Sequence, residues 1–181
     1  MFGAWKTTIL TEDNNYFPEK MFFEDTPTLI LWLLTIKDFR IAYEATHFFR
    51  QHSASATAGA VFSGKKLDDR IKSSDLILVN AKKMNCYELY KDEFDFYYVF
   101  VCLYNTLMKL VENPLDKTTI LNLEKHVKKT VPQFKRNKYV KARASFPGYP
   151  SWYLMRAAYN NPFIFATIYR ALRRVYYCFK R

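Results

Sequence analysis

Two adjacent carboxylates, Glu24 and Asp25, stand in the run Phe22-Phe23-Glu24-Asp25-Thr26-Pro27, between aromatic residues and a Thr-Pro pair. A hydroxyl residue followed by proline is a helix-start signal, so both carboxylates are expected at a helix N-terminus. There the unpaired N–H groups and the helix dipole favour negative charge, while neighbouring rings desolvate it. Together they can set a carboxylate's basicity for accepting a proton. The same placement also serves ordinary helix capping, and the local sequence leaves both readings open. Further on, Arg50 and His52 lie two apart in a strand-like segment. Their side chains would share a face, where a cation and an imidazole can meet a diphosphate or its metal ion. The alternative for His52 is a hydrogen-bonded loop histidine. The hydroxyls of Ser53, Ser55 and Thr57 can bind phosphate or sugar. His47, beside two phenylalanines, reads as packing, and His126, among lysines, as solvated.

The elements that would position these groups fall into two parts, with a boundary near Gly59 to Gly64. Thr26-Pro27 opens an apolar run that predicts a helix over 26 to 37, and the β-branched and aromatic content of 39 to 45 and 47 to 50 predicts two strands or one bent strand. Beyond Gly64 the periodicity predicts successive helices over 65 to 89, 93 to 112 and 116 to 130, with Asn113-Pro114 and Pro132 as breaks. Two more helices follow, around 151 to 158 and 162 to 181.

Half of the 181 residues are hydrophobic, enough for one sizeable core and too few for two large domains. The three cysteines are far apart and fit neither a disulfide framework nor a zinc site, which points to a reducing compartment. Residues 1 to 15 lack the basic and apolar regions of a secretory signal, so a cytoplasmic location is expected. The uncharged, strongly apolar stretches 96 to 108 and 157 to 169 are 13 residues each, short of the roughly 20 that span a bilayer. The formal net charge of +11 is unevenly placed: residues 125 to 181 hold 14 Lys/Arg and no Asp or Glu. Such a tail calls for an anionic partner or surface.

Phe17-Pro18-Glu19, the Glu24-Asp25 pair, a helix, a strand and then Phe49-Arg50-Gln51-His52-Ser53-Ala54-Ser55-Ala56-Thr57 resemble, in that order, the later half of family 2 bacterial glycosyltransferases of GT-A type. That family carries an "FPE…ED" segment followed by "YR-x-H-x-x-S-x-T", and the likeness covers residues 1 to about 60. It implies an α/β fold, an incomplete Rossmann-like GT-A C-terminal half over 1 to 60, followed by a mainly helical, basic extension over 61 to 181. It implies an inverting transferase in which Asp25 is the base for the acceptor hydroxyl and Glu24 tunes it. Arg50, His52 and Ser55 would bind substrate, with His52 near the metal. A divalent cation, Mn or Mg, would neutralise the leaving diphosphate. The implied partners are a nucleotide sugar and a saccharide or lipid-linked acceptor. No segment resembling the nucleotide-binding half or its D-x-D is found, so the chain is expected to be truncated and inactive alone, or to need a separate N-terminal half.

The last predicted helix has Arg170, Arg173, Arg174, Tyr177 and Arg181 on one face and Phe165, Ile168, Leu172, Val175 and Phe179 on the other. Such a helix can lie among anionic lipid headgroups, which implies a peripheral position on the inner face of the cell membrane. A helix packed on its own domain with a solvated basic face is the plainer possibility. Aromatic residues interleaved with Lys and Arg also permit nucleic-acid binding. The alternative to the transferase is therefore a basic non-enzymatic module for nucleic acid or an anionic membrane.

Overall fold

The computed structural model describes residues 17–36, 38, 62, 64–142 and 152–179. Its elements are α1 (Asp25–Thr35), α2 (Lys65–Lys83), α3 (Lys91–Tyr98), a π-helical segment (Val99–Tyr104), α4 (Asn105–Leu110), α5 (Lys117–Thr130), a 3-10 turn (Phe134–Arg136), α6 (Lys138–Lys141), α7 (Trp152–Asn160) and α8 (Pro162–Phe179). Among the described residues there is no strand.

Among the described residues the fold is therefore all-α, and the expected α/β fold class with its Rossmann-like GT-A half is overturned. The physical reason lies in how the core is closed. Between Phe94 and Leu107 the chain carries a single charge, Asp95, and Phe94, Phe96, Tyr98, Val99, Val101, Cys102, Leu103 and Leu107 are all buried. A rod buried on most of its sides must be surrounded, and here other helices surround it. Ile77, Leu78 and Ala81 come from α2, Ile120, Leu123 and Val127 from α5, and Met155, Ala158 and Tyr159 from α7. The uncharged stretch 96 to 108 is this central rod, and among the described residues no helix is long and apolar enough to cross a membrane. The segments read as strands, 39 to 45 and 47 to 50, lie outside the described residues, except that the preceding Asp38 is described.

Helix ends follow local chemistry. Asp116 caps α5, accepting from the N–H groups of Thr118 and Thr119 at 3.1 Å each. α2 stops at Lys83, six residues before its expected end at Leu89, because Asn85 enters the left-handed region (φ 54°) and the N–H groups of Cys86 and Tyr87 turn back to the Ala81 carbonyl. Gly64 precedes α2 at φ 53° and ψ −128°, a combination that only glycine adopts readily.

The turn before α1 is fastened to α2 by buried polar groups. The Phe22 N–H donates to Asp69 Oδ2 at 3.0 Å, and Ser73 Oγ donates to the Phe23 carbonyl at 2.8 Å. Phe23 itself has φ 64°, unusual for a bulky residue. It is held there by those bonds, by the Arg70 guanidinium 3.6 Å from its ring centroid, and by Phe62 at 5.9 Å.

Candidate functional site

Asp25 is exposed at the first position of α1, where it accepts a long 3.4 Å hydrogen bond from Thr26 Oγ1. Glu24 is half-buried at the N-cap position, but its side chain caps nothing; its carbonyl accepts from Thr28 Oγ1 at 2.8 Å. The helix thus begins one residue early, and Thr26 and Pro27 sit inside its first turn, where a missing N–H costs no hydrogen bond. The charge of Asp25 acts on Arg70, whose guanidinium lies on Phe23; burial pushes the Arg70 pKa down and Asp25 opposes that. Arg70 Nε is buried without a hydrogen-bond partner. An exposed carboxylate beside a guanidinium lacks the desolvating enclosure that a tuned general base needs.

Arg50, His52 and Ser55 lie outside the described residues, so the second half of the expected constellation has no described position. Among the described residues no three of His, Cys, Asp or Glu converge to hold a metal ion, and near Asp25 the acting charge is cationic. The described side chains around Asp25 thus offer a divalent cation no ligand set.

His126 departs from the solvated reading. Its Nε2 lies 3.0 Å from Asp75 Oδ1, and the buried Tyr98 hydroxyl donates to the same oxygen at 2.8 Å. Burial pushes the Tyr98 hydroxyl well above its ordinary range, and burial pushes the neighbouring Cys102 thiol up to about 12. Both are therefore inert neutral groups, and the cluster ties α2, α3 and α5 together. A second cluster, Tyr87, Lys91 and Asp95, does the same locally, with the Tyr87 hydroxyl donating to Asp95 Oδ1 at 2.7 Å.

The expected basic helix takes an orientation that periodicity could not supply. The N-terminal half of α8 is held on the body by buried Pro162 and Ala166, by Phe165 against Tyr104 at 5.8 Å, and by Lys117 over the Phe163 ring. Beyond Tyr169 the arginine side turns toward the end of α4: Arg173 donates to Glu112 Oε1 at 3.2 Å and lies over the Tyr177 ring. Arg170, Arg173 and Arg174 are brought together, with Val111, Glu112, Tyr177 and Cys178, around an open cleft of about 710 Å³. Arg181 lies outside the described residues.

The opposite side of α8 is the notable one. Ile164, Ile168, Leu172, Val175 and Phe179 retain 56, 56, 63, 53 and 88% of their surface exposed to solvent. Their i, i+4, i+8, i+11, i+15 spacing makes a single stripe along a helix about 27 Å long. An amphipathic helix ordinarily turns its apolar stripe to its own core; this one turns it away. Sequence reasoning missed Glu112 and Cys178 as cleft residues and Arg70 as the partner of Phe23. Only tertiary packing brings these together, and no local spacing signals them.

Comparison with protein-family models, with curated proteins and with solved structures finds no match to this chain.

Proposed function

We propose that this protein is a basic α-helical module that attaches to anionic membrane surfaces through α8. The observation that carries this reading is the uncovered aliphatic stripe from Ile164 to Phe179, on a helix with three arginines and no acidic residue. An in-plane helix of this kind inserts its apolar stripe to the acyl boundary, while arginines reach headgroup phosphates with their long stems. Tyr169, Tyr176 and Tyr177, all exposed, suit the boundary between the two.

Charge selects among the possible occupants of the stripe. A second copy would bring another chain of formal net charge +11 against this one, a repulsion that an anionic surface replaces with attraction. Nucleic acid would engage the arginines but leave five aliphatic and aromatic side chains in water. The transferase reading implies an α/β frame to hold a nucleotide sugar and its metal, whereas the described elements are all helical.

Sedimentation with vesicles tests the proposal. Wild-type protein is expected to pellet with acidic vesicles and only weakly with neutral ones, and the L172Q/V175Q/F179Q variant should bind at least about tenfold more weakly. Because these side chains are exposed, the variant's melting temperature should not fall. A wild type that ignores acidic vesicles, or forms a stable dimer that hides the stripe, overturns the proposal.

A further inference from the structure

We propose that the cleft between the end of α4 and α8 is a binding site for a multiply charged phosphate group. The site deepens the membrane reading and rests on it for the source of that group, a lipid headgroup bearing more than one phosphate.

Three guanidinium groups, from Arg170, Arg173 and Arg174, line one cleft with a single carboxylate, Glu112. They come from successive turns of one helix, so their spacing is fixed by the backbone rather than by flexible loops. Arginine's planar fork of donors matches phosphate oxygens two at a time, which makes a cluster of three a better polyphosphate site than scattered lysines. The anion-binding capacity is only partly used within the protein. Glu112 accepts from Arg173 at 3.2 Å and also faces Lys109 at 3.8 Å. Arg170 and Arg174 have no ion-pair partner among the described residues. With Lys109 at its edge, the cleft carries an excess of positive charge even with Glu112 counted. Tyr177, stacked under Arg173 at 5.6 Å, adds a hydroxyl within the same cleft.

The position of the cleft fits the source. The arginines lie on the side of α8 opposite the apolar stripe, so a helix lying in the interface with its stripe at the acyl boundary would hold its arginines on the headgroup side. Glu112 would act as a resident anion that the incoming phosphate displaces from Arg173. Its removal should therefore strengthen binding, which a structural ion pair alone does not predict. Cys178, exposed at the cleft wall, provides a local reporter.

Isothermal titration of the full chain with inorganic pyrophosphate reads the site without lipid, and vesicles of matched total charge, bearing either a bisphosphorylated inositol headgroup or phosphatidylserine, read the lipid source. Wild-type protein should bind pyrophosphate saturably at 1:1, slow the alkylation of Cys178, and prefer the bisphosphorylated vesicles. R170Q/R174Q should lose at least about tenfold in pyrophosphate affinity, while R156Q, at an exposed arginine on α7 outside the cleft, should lose little. E112Q should gain affinity, and E124Q, the same charge change elsewhere, should not. The L172Q/V175Q/F179Q variant should keep pyrophosphate binding and lose vesicle binding, so failure of the cleft and failure of the stripe are read separately. Should R170Q/R174Q unfold, the E112Q and E124Q pair decides alone. Absence of saturable pyrophosphate binding, or equal responses of the cleft and control variants, overturns the proposal. Pyrophosphate binding without any preference for the bisphosphorylated vesicles overturns the lipid source and leaves a site for soluble phosphates.

Discussion

At the scale of single residues, burial decides which polar groups are reactive and which are structural. The three cysteines divide accordingly: Cys178 is exposed, Cys86 half-buried, and Cys102 buried with its thiol pushed up to about 12. At pH 8 a soluble alkylating reagent is expected to modify Cys178 first and Cys102 only after unfolding. Fast labelling of Cys102 in the folded protein would contradict the packing around the π segment. Asp69 makes a second residue-level case. The Lys65 ammonium, then the Phe22 N–H, hold its carboxyl below the ordinary value of 3.8. A depressed folded pKa stabilises the fold above the ordinary value, and the contribution fades as pH falls through the lower folded value. Asp69→Ala should cost roughly 1–3 kcal/mol at pH 7, because the Phe22 donor loses its acceptor. The gap in melting temperature between wild type and variant should narrow below pH 4, and a gap that stays constant down to pH 2 would mean that this carboxylate carries no such load. Glu24 and Asp25 were legible in the sequence as a pair at a helix start, and they are found there. Their surroundings were not legible, since Arg70 acts on Asp25 from α2, which begins only at Lys65.

At the scale of elements, periodicity served well where helices pack on helices. The rods over 65 to 83, 91 to 110, 117 to 130, 152 to 160 and 162 to 179 follow the apolar spacing closely, and their ends follow Asn85, Asp116 and the prolines. Where it failed, the cause is specific. The Phe-rich composition of 93 to 112 gave no sign of the π-helical turn at Val99–Tyr104, because a widened turn depends on how neighbours fill the space beside it. The orientation of α8 was equally hidden, since a helical wheel separates two faces without saying which one meets the body. Gly64 offers an element-level test. It sits at φ 53° with open space where a Cβ would stand, so Gly64→Ala introduces backbone strain without a clash. The variant should lose about 1 kcal/mol or more in chemical denaturation. An unchanged midpoint would mean that this junction relaxes freely. In the central rod, Leu107→Ala should cost about 2–5 kcal/mol, since the side chain is fully buried.

At the scale of the whole molecule, the charge asymmetry and the fold together give the protein two unlike surfaces. The acidic residues lie in the part of the chain before residue 125, where several serve internal ion pairs such as Asp69 with Lys65 and Asp95 with Lys91, while the acid-free remainder carries α7 and α8. The basic bias was plain from the sequence; that it accompanies an outward apolar stripe was not, because burial is a property of the assembled fold. We propose that this stripe enters a lipid surface. Cysteine scanning through positions 168 to 179 of the full chain, with Cys86 and Cys178 replaced by serine and each new thiol carrying an environment-sensitive dye, measures it directly. On acidic vesicles the expected result is blue-shifted emission at 168, 172, 175 and 179, little change at 170 and 174, and a period near 3.6 residues. A flat profile, or a maximum on the arginine side, would contradict it.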